Sequence, residues 1–230
     1  MADGRVERGN QTRRTVLERT MSIASVDGLE GLSLGKIASD LGLSKSGVFA
    51  LFGSKEDLQL ATVRAAVEVF VERVVRPVRE EPAGLTKAWR LCELWLEYSG
   101  HRIFPGGCFF YGVSAEYDAR PGPVRDEIAK ARADWTRYIE RVLDEARTAG
   151  GFRQGSGADE VPQLAFEIIA LMELANAHSV LFEDGSAYER AGRGILARLR
   201  SVAAAPDELP ERPPAIDGPT AAPTSSAAAS

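Results

Sequence analysis

Residues 34–53 constrain the fold of this chain more than any other segment. They read LGKIASDLGLSKSGVFALFG, two short apolar–polar patterns joined at a glycine. Two short helices that cross at a steep angle need a small residue where they approach, such as Ala38, and a turn residue that tolerates positive φ, such as Gly42. Apolar residues stand where they would hold the pair onto a preceding helix: Ile37, Leu41, Leu43, Val48, Leu51, Phe49 and Phe52. The segment therefore predicts a helix-turn-helix, although a small three-helix domain can use the same pattern only for packing.

The first turn of the second helix has the composition of a surface that reads DNA. Its residues are small, polar or cationic, so the helix backbone could approach base edges in a major groove. Lys45 can donate to guanine or phosphate, and Ser44 and Ser46 to phosphates or bases. Lys55 would start the next helix, where the helix dipole also favours a phosphate. The predicted DNA-binding residues are Ser33, Lys36, Ser44, Lys45, Ser46, Gly47, Phe49 and Lys55.

Composition and charge indicate an ordinary globular protein. The chain has 230 residues, of which 44% are hydrophobic and 27% charged, enough for one large domain or two smaller ones. Its net charge is −5, and residues 1–58 hold eight basic and eight acidic side chains. Charge alone therefore does not indicate a nucleic-acid partner, and the helix-turn-helix motif has to carry that prediction.

The remaining pattern predicts an all-α protein of about nine helices. No stretch shows the sustained alternation typical of a strand. We expect a three-helix DNA-binding domain at 1–53, a larger helical domain at 54–204 and a disordered Pro-, Ala- and Ser-rich tail at 205–230. A long helix after Ser54 is expected to end or bend near Pro77.

Other classes of protein find little support in the sequence. The two cysteines, Cys92 and Cys108, stand outside any metal-binding pattern, so we expect a reducing compartment, no metal site and no cofactor. The most apolar stretch, 164–182, is interrupted by charged and polar residues, which argues against a membrane span. Together with the lack of a targeting segment, this predicts a cytoplasmic protein.

Two rival functions stay open at this point. An enzyme could draw an acid–base group from His101, Cys108, Glu116 and Asp118, but these residues have no recognisable catalytic spacing. We therefore predict that the chain is not an enzyme. A helical interaction protein that kept the fold without binding DNA is the second rival, because the N-terminal part carries no net charge.

Residues 11–60 resemble the TetR family of bacterial repressors. The segment GLSKSGVFALFGSKEDL closely matches the recognition helix of that family and the cap that follows it, and GGCFF at 106–110 resembles a segment of one branch. Phe49 stands where the family commonly has a tyrosine whose hydroxyl contacts a phosphate, so Phe49 is either a DNA contact or only a core residue. Gly53 stands where proline is common.

The resemblance implies a ligand-responsive regulator. Its partners would be double-stranded operator DNA, a second copy of the chain and a small organic effector that binds among the middle helices and releases the DNA. A repressor is expected, and an activator stays open. The predicted ligand-binding residues are Trp89, Trp95, Tyr98, Phe104, Cys108, Phe109, Tyr111, Glu116, Phe166, Met172 and Asn176.

The last two helices are the predicted dimer interface. The helix at 159–183 carries apolar residues on more than one face, which indicates that more than one face is buried. The partner subunit would cover one of them, although a wholly internal helix pair is the alternative. The predicted interface residues are Ile168, Leu171, Met172, Ala175, Ile195 and Leu199.

Overall fold

Helices make up most of the computed structural model, which describes residues 3–157 and 159–216. Within these residues the chain forms nine α-helices and no strand beyond an isolated bridge between Phe152 and Ala203. The helices are α1 Asp3–Asp27, α2 Leu34–Asp40, α3 Lys45–Phe52, α4 Lys55–Phe70, α5 Leu85–Gly100, α6 Phe109–Tyr117, α7 Pro123–Thr148, α8 Glu160–Leu181 and α9 Ser186–Val202. The predicted all-α fold is confirmed.

The helix-turn-helix forms where its local signals predict it. Ser33 caps α2 by accepting a hydrogen bond from the Lys36 amide at 3.5 Å, and Ser44 caps α3 in the same way. Gly42, at φ +64°, makes the turn between them, because a side chain there would strain the backbone. The Leu43 amide closes this turn by donating to the Ala38 carbonyl at 2.8 Å. Ala38 itself is buried, as a close helix crossing requires.

The helix that follows α3 ends near Pro77, as predicted. Regular α-helix stops at Phe70, and the backbone continues through a wider π turn at Val71–Val75 and a tighter 3₁₀ turn at Arg76–Val78. Proline lacks the amide hydrogen that an α-helix needs and crowds the preceding turn, so the hydrogen-bonding pattern has to change before it.

The described residues fall into two compact units. Unit 1 contains the residues up to Arg79 together with Phe104–Arg137, and unit 2 contains Glu80–Ile103 and the residues from Tyr138 onwards. In unit 1, α1 packs on α4 and α6, and α2 packs on α3; in unit 2, α5, α8 and α9 pack together. Because these units follow spatial contacts, the division into domains at 1–53 and 54–204 stays a prediction.

The beginning of the C-terminal tail is ordered, and the prediction of disorder is wrong for residues 205–216. This part forms a short 3₁₀ turn and buries Leu209, while the Arg200 guanidinium donates to three consecutive tail carbonyls. A Cβ atom on Gly192 would lie 2.7 Å from a proline of the tail, so this glycine makes room for it. Composition suggested disorder because periodicity cannot reveal such irregular packing. Residues 217–230 lie outside the described residues.

Candidate nucleic-acid interface

The second helix of the helix-turn-helix presents a continuous solvent-facing surface. Val48 and Phe52, four residues apart, occupy its buried side. We call the opposite surface the reading face of α3; it comprises Lys45, Ser46, Phe49 and Ala50, with Ser44 and Gly47 at its N-terminal edge, all exposed. The structure thus brings together five of the eight predicted DNA-binding residues on one helix, Ser44 through Gly47 and Phe49.

Ser44 serves first as a helix cap. Its Oγ accepts the Gly47 amide at 3.0 Å and the Ser46 hydroxyl at 3.4 Å. A serine hydroxyl has two acceptor sites and one donor, so these bonds leave its proton to donate to a phosphate or base. The capping bond also holds the first turn of α3 in place. Ser44 is therefore suited to position the reading face and to make one outward hydrogen bond.

The cations of α2 and α3 lie in a more positive setting than the residue count suggests. Among the described residues of these two helices, Asp40 is the one that forms an ion pair, and its partner is Arg19 of α1. Lys36 and Lys45 are exposed and have no carboxylate in ion-pair distance in the described part of the chain. Ser33 is exposed beside Lys36 as the cap of α2. Two ammonium groups are thus available to phosphates.

Phe49 is exposed, which removes the alternative that it is only a core residue. Its side chain is 56% exposed, whereas that of Phe52 is buried under the Arg13 guanidinium, which lies 4.5 Å from the ring centre. The predicted aromatic contribution to the core therefore comes from Phe52 alone. Phenylalanine has no hydroxyl, so Phe49 cannot make the phosphate hydrogen bond that the tyrosine of the family makes.

Lys55, one of the predicted DNA-binding residues, has a partner within the chain. Its ammonium group donates to the carbonyl and carboxylate of Glu30, at 2.7 and 2.8 Å. This contact, followed by hydrogen bonds from Tyr117 and Gln59, lowers the pKa of Glu30 to about 2. Lys55 thereby ties the start of α4 to the turn between α1 and α2.

The same turn is held by α6 through Glu116. The two carboxylate oxygens of Glu116 accept the amides of Leu29 and Glu30 at 2.7 and 2.9 Å. Gly28, at φ +76°, leaves room for them, because a Cβ atom there would lie 2.6 Å from a Glu116 oxygen. We call this contact the α6 clamp. Both oxygens of Glu116, a predicted effector ligand, are engaged in this contact within the chain, and its role towards an effector stays a prediction. The sequence marks Gly28 only as a glycine at the end of a helix.

Two family models match this chain over most of its length. The model of bacterial regulatory proteins of the tetR family matches residues 16–62, which include the helix-turn-helix. The model of the tetracyclin repressor-like C-terminal domain matches residues 84–195. The chain belongs to the TetR family of transcriptional regulators. It is thus a DNA-binding regulator, and the helix-turn-helix is its DNA-binding element.

Several solved structures have the same fold as this chain. A TetR regulator from Chloroflexus aurantiacus superposes with a TM-score of 0.77 at 24% identity, covering 86% of this chain and 98% of that one. A putative regulator from Saccharomonospora viridis, solved with choline, has a TM-score of 0.68 at 21% identity and covers 81% and 94%. AibR, solved with isovaleryl coenzyme A and operator DNA, has a TM-score of 0.62 at 16% identity and covers 80% and 95%. Among proteins of curated function, none matches the chain.

The predicted effector residues of this TetR-family regulator are distributed over both units. The predicted effector residues that are buried in unit 2 are Trp89, Trp95 and Tyr98 of α5 and Met172 and Asn176 of α8. In unit 1, Phe104, Cys108 and Phe109 are buried and Tyr111 is half-buried. A groove of about 530 Å³ in unit 1 lies elsewhere, between α1, α3 and α4, and no predicted effector residue lines it.

Phe166 does not lie where the prediction of an effector residue requires it. Its side chain is 70% exposed on α8, so it does not line a cavity inside unit 2. Ala165 and Ile168 lie on the buried face of α8, and Phe166 between them points outward because of the helical spacing.

Unit 2 contains a buried polar network that the sequence pattern did not indicate. The Ser99 hydroxyl bonds to Asn176 Oδ1 at 2.9 Å and to the Tyr188 hydroxyl at 2.7 Å. The Arg102 guanidinium donates to this tyrosine at 3.2 Å and to the carbonyl and hydroxyl of Ser179 at 2.9 and 2.7 Å. A cation near the C-terminal end of a helix is favourable, which accounts for Arg102 beside the end of α8.

The predicted dimer residues are mostly internal to one subunit, and this prediction is wrong in its choice of face. Five of the six are buried within the protomer: Ile168, Met172, Ala175, Ile195 and Leu199. Leu171 is half-buried against Gly194 of α9. The error has a physical cause: α8 is apolar all round, so periodicity cannot tell which stripe faces the chain's own core.

A different stripe of α8 is apolar and open to solvent. Phe166, Leu174 and Leu181 are 70%, 56% and 74% exposed. Spaced at helical intervals between them are the exposed Ala170 and the half-buried Ala177. We call these five residues the outer stripe of α8. Such a row of exposed apolar residues is typical of a protein–protein contact surface.

Three further observations bear on other functions. The helix α8 is long and apolar enough to cross a membrane by length and composition, a test that core helices of soluble proteins also pass. Among the described residues, no three His, Cys, Asp or Glu side chains are grouped as a metal site would require. Cys92 and Cys108 are both buried and form no disulfide within the described residues, and burial raises the pKa of the Cys92 thiol, which makes it unreactive.

Proposed function

We propose that this regulator represses transcription in the cytoplasm as a homodimer bound to a two-fold operator, and that a small organic effector releases it. The observation that carries the proposal is the reading face of α3, where Lys45 is exposed beside Ser44 and Ser46 and has no ion-pair partner among the described residues. A helix with small polar residues in its first turn suits entry into the major groove, where such side chains reach bases and phosphates. No enzymatic step is part of the proposal.

The outer stripe of α8 supports the dimer. A reading helix of eight residues contacts too few base pairs for specific binding by itself, whereas two copies on adjacent half-sites add their binding energies. Burying Phe166, Leu174 and Leu181 against the same residues of a second copy would make a self-complementary contact, as two-fold symmetry requires.

The solved relatives support an organic effector, without identifying it. One was solved with choline and another with isovaleryl coenzyme A together with operator DNA. In this chain the buried aromatic residues of α5, Trp89, Trp95 and Tyr98, remain the proposed surroundings of the ligand, with Asn176 as a polar anchor. Large apolar surfaces with few polar groups suit a small organic molecule.

The α6 clamp supports a mechanism in which a movement of α6 changes the position of the helix-turn-helix. Glu116 holds the amides of Leu29 and Glu30, directly before α2. An effector that favours another position of α6 by a few kcal/mol would pull this turn and shift the dimer towards a form that cannot span both half-sites.

Selection of DNA from a random pool by the full-length protein tests the operator. We expect enrichment of a sequence with two-fold symmetry, whose half-sites are centred about one or more helical turns apart. A Lys45→Ala variant should enrich this sequence more weakly, and an exposed control such as Lys130→Ala on α7 should enrich it as strongly as the wild type. An absence of enrichment, or a site without symmetry, would contradict the proposal.

Titration of organic compounds against the operator complex tests release. Choline and isovaleryl coenzyme A are the first probes, followed by a set of small organic acids, amines and aromatic compounds. We expect at least one compound to bind the free protein and to weaken operator binding about tenfold or more. If the compounds that bind the protein leave its DNA affinity unchanged, release by an effector is refuted.

A further inference from the structure

Phe49 is a large apolar side chain on an otherwise polar or small-residue surface. One exposed hydrophobic residue needs no explanation by itself. This one, at 56% exposure, lies on the reading face of α3, the surface proposed to enter the major groove. Because this surface becomes buried when DNA binds, the groove has to offer something that an aromatic ring can contact.

Phe49 extends further from α3 than the exposed side chains next to it. It follows Lys45 by four residues and Ser46 by three, so the three side chains share one helix face. Gly47 and Ala50, which flank it on the surface, extend no further than a Cβ atom and are exposed. The backbone of α3 can therefore approach base edges closely, and the ring of Phe49 reaches deepest beyond the first turn.

The chemistry of the ring selects among the groups in the groove. It has no hydrogen-bond donor or acceptor, so it gains nothing specific from a phosphate. The major-groove edges of guanine, cytosine and adenine carry donors and acceptors, whereas thymine adds a C5 methyl group. We infer that Phe49 contacts this methyl group of one thymine in each operator half-site and is a specificity-determining residue. The inference rests on the proposed function.

A consequence is that this position reads sequence. A tyrosine here would reach the DNA backbone through its hydroxyl, and backbone contacts position a protein without distinguishing bases. Phe49 lacks the hydroxyl for this backbone contact, and its contact with a methyl group depends on the base pair. The operator should therefore contain a thymine at one fixed position of each half-site.

Replacement of thymine by uracil, which lacks only the methyl group, tests the contact. The operator selected by the full-length protein is resynthesised with symmetric pairs of deoxyuridine, one pair at a time, and affinities are measured by fluorescence anisotropy at constant salt. At one pair the affinity of the wild type should fall about fifteenfold, since each buried methyl group contributes about fourfold. Phe49→Ala should bind the unmodified operator more weakly and lose nothing further at that pair.

The control is Val26→Ala, which removes another exposed apolar side chain of unit 1, 64% exposed at the end of α1. It should keep both the affinity of the wild type and its sensitivity to uracil. A repeated selection with Phe49→Ala should also lose the thymine preference.

Three outcomes separate this inference from the proposed function. If Phe49→Ala weakens binding but uracil has no effect at any pair, the ring contacts sugar rather than a base and the inference is wrong. If no position of the selected half-site requires thymine, the inference is wrong as well. Failure to select any DNA would contradict the proposed function and the inference together.

Discussion

At the scale of single residues, two acidic side chains, Glu30 and Glu116, hold the turn that precedes the helix-turn-helix. Glu30 receives hydrogen bonds from Lys55, Gln59 and Tyr117, and Glu116 receives the two amides that precede α2. Neither role follows from the sequence, because the contacts join residues that lie about 25 to 87 positions apart. The caps Ser33 and Ser44 and the turn at Gly42 could be predicted, since their signals are local.

Replacing Glu30 by glutamine removes its charge and nearly preserves its shape. The pKa of Glu30 is lowered from 4.5 to about 2 by Lys55 first, then by Tyr117. Its ionised form therefore stabilises the fold above about pH 4.5, and this contribution is lost as the pH falls through about 2. We expect E30Q to lower the melting temperature at pH 7 by about 1–4 °C, a modest value because the carboxylate is exposed.

Thermal unfolding at several pH values measures this effect. The difference between wild type and E30Q should shrink as the pH falls from 4.5 towards 2. Glu68→Gln, at an exposed position of α4, should match the wild type throughout. A difference that does not change with pH would mean that the charge of Glu30 is not its cause.

At the scale of elements, the order of helices was predictable but the orientation of α8 was not. Gly and Pro residues and helix caps mark ends locally, so the bounds of α2, α3 and α5 agree with the pattern within a few residues. In α8, both the buried Ile168 and the exposed Leu174 belong to apolar stripes, and only the packing on α5 and α9 distinguishes them. The tail behaves similarly: it docks through irregular contacts that have no period.

Truncation of the tail tests whether its docking stabilises unit 2. The residues before 217 bury Leu209 and place Pro213 and Ile216 against Gly192 and Gly100. A chain that stops after Ala204 should melt about 4–10 °C lower than the full chain, mainly because a buried leucine contributes about 1.5–3 kcal/mol. A chain that stops after Ile216 is the matched control and should melt with the full chain. Equal melting of both truncated chains would show that the tail contributes nothing.

At the scale of the whole molecule, the proposed function requires a second copy of the chain. The family, the fold and the DNA-binding role are established, whereas the dimer rests on the outer stripe of α8. A glutamate at Leu174, the centre of that stripe, would bury a charge in an apolar contact. L174E should therefore sediment as a monomer at low micromolar concentration while the wild type sediments as a dimer.

Thr86→Glu provides the control for added charge, since Thr86 is exposed on α5. It should leave the dimer intact. A dimeric L174E with normal operator affinity would place the interface on another surface.

The salt dependence of operator binding tests the reading face of α3 most directly. Each Lys45 that neutralises a phosphate releases about one counterion, so losing both in a dimer should change the slope of log affinity against log salt. Lys45→Ala should bind the selected operator at least tenfold more weakly at about 0.1 M salt, with a slope less steep by about 2. Lys130→Ala, which removes a cation paired with Asp134 on α7, should match the wild type. If Lys45→Ala keeps the wild-type affinity and slope, the reading face does not lie on DNA.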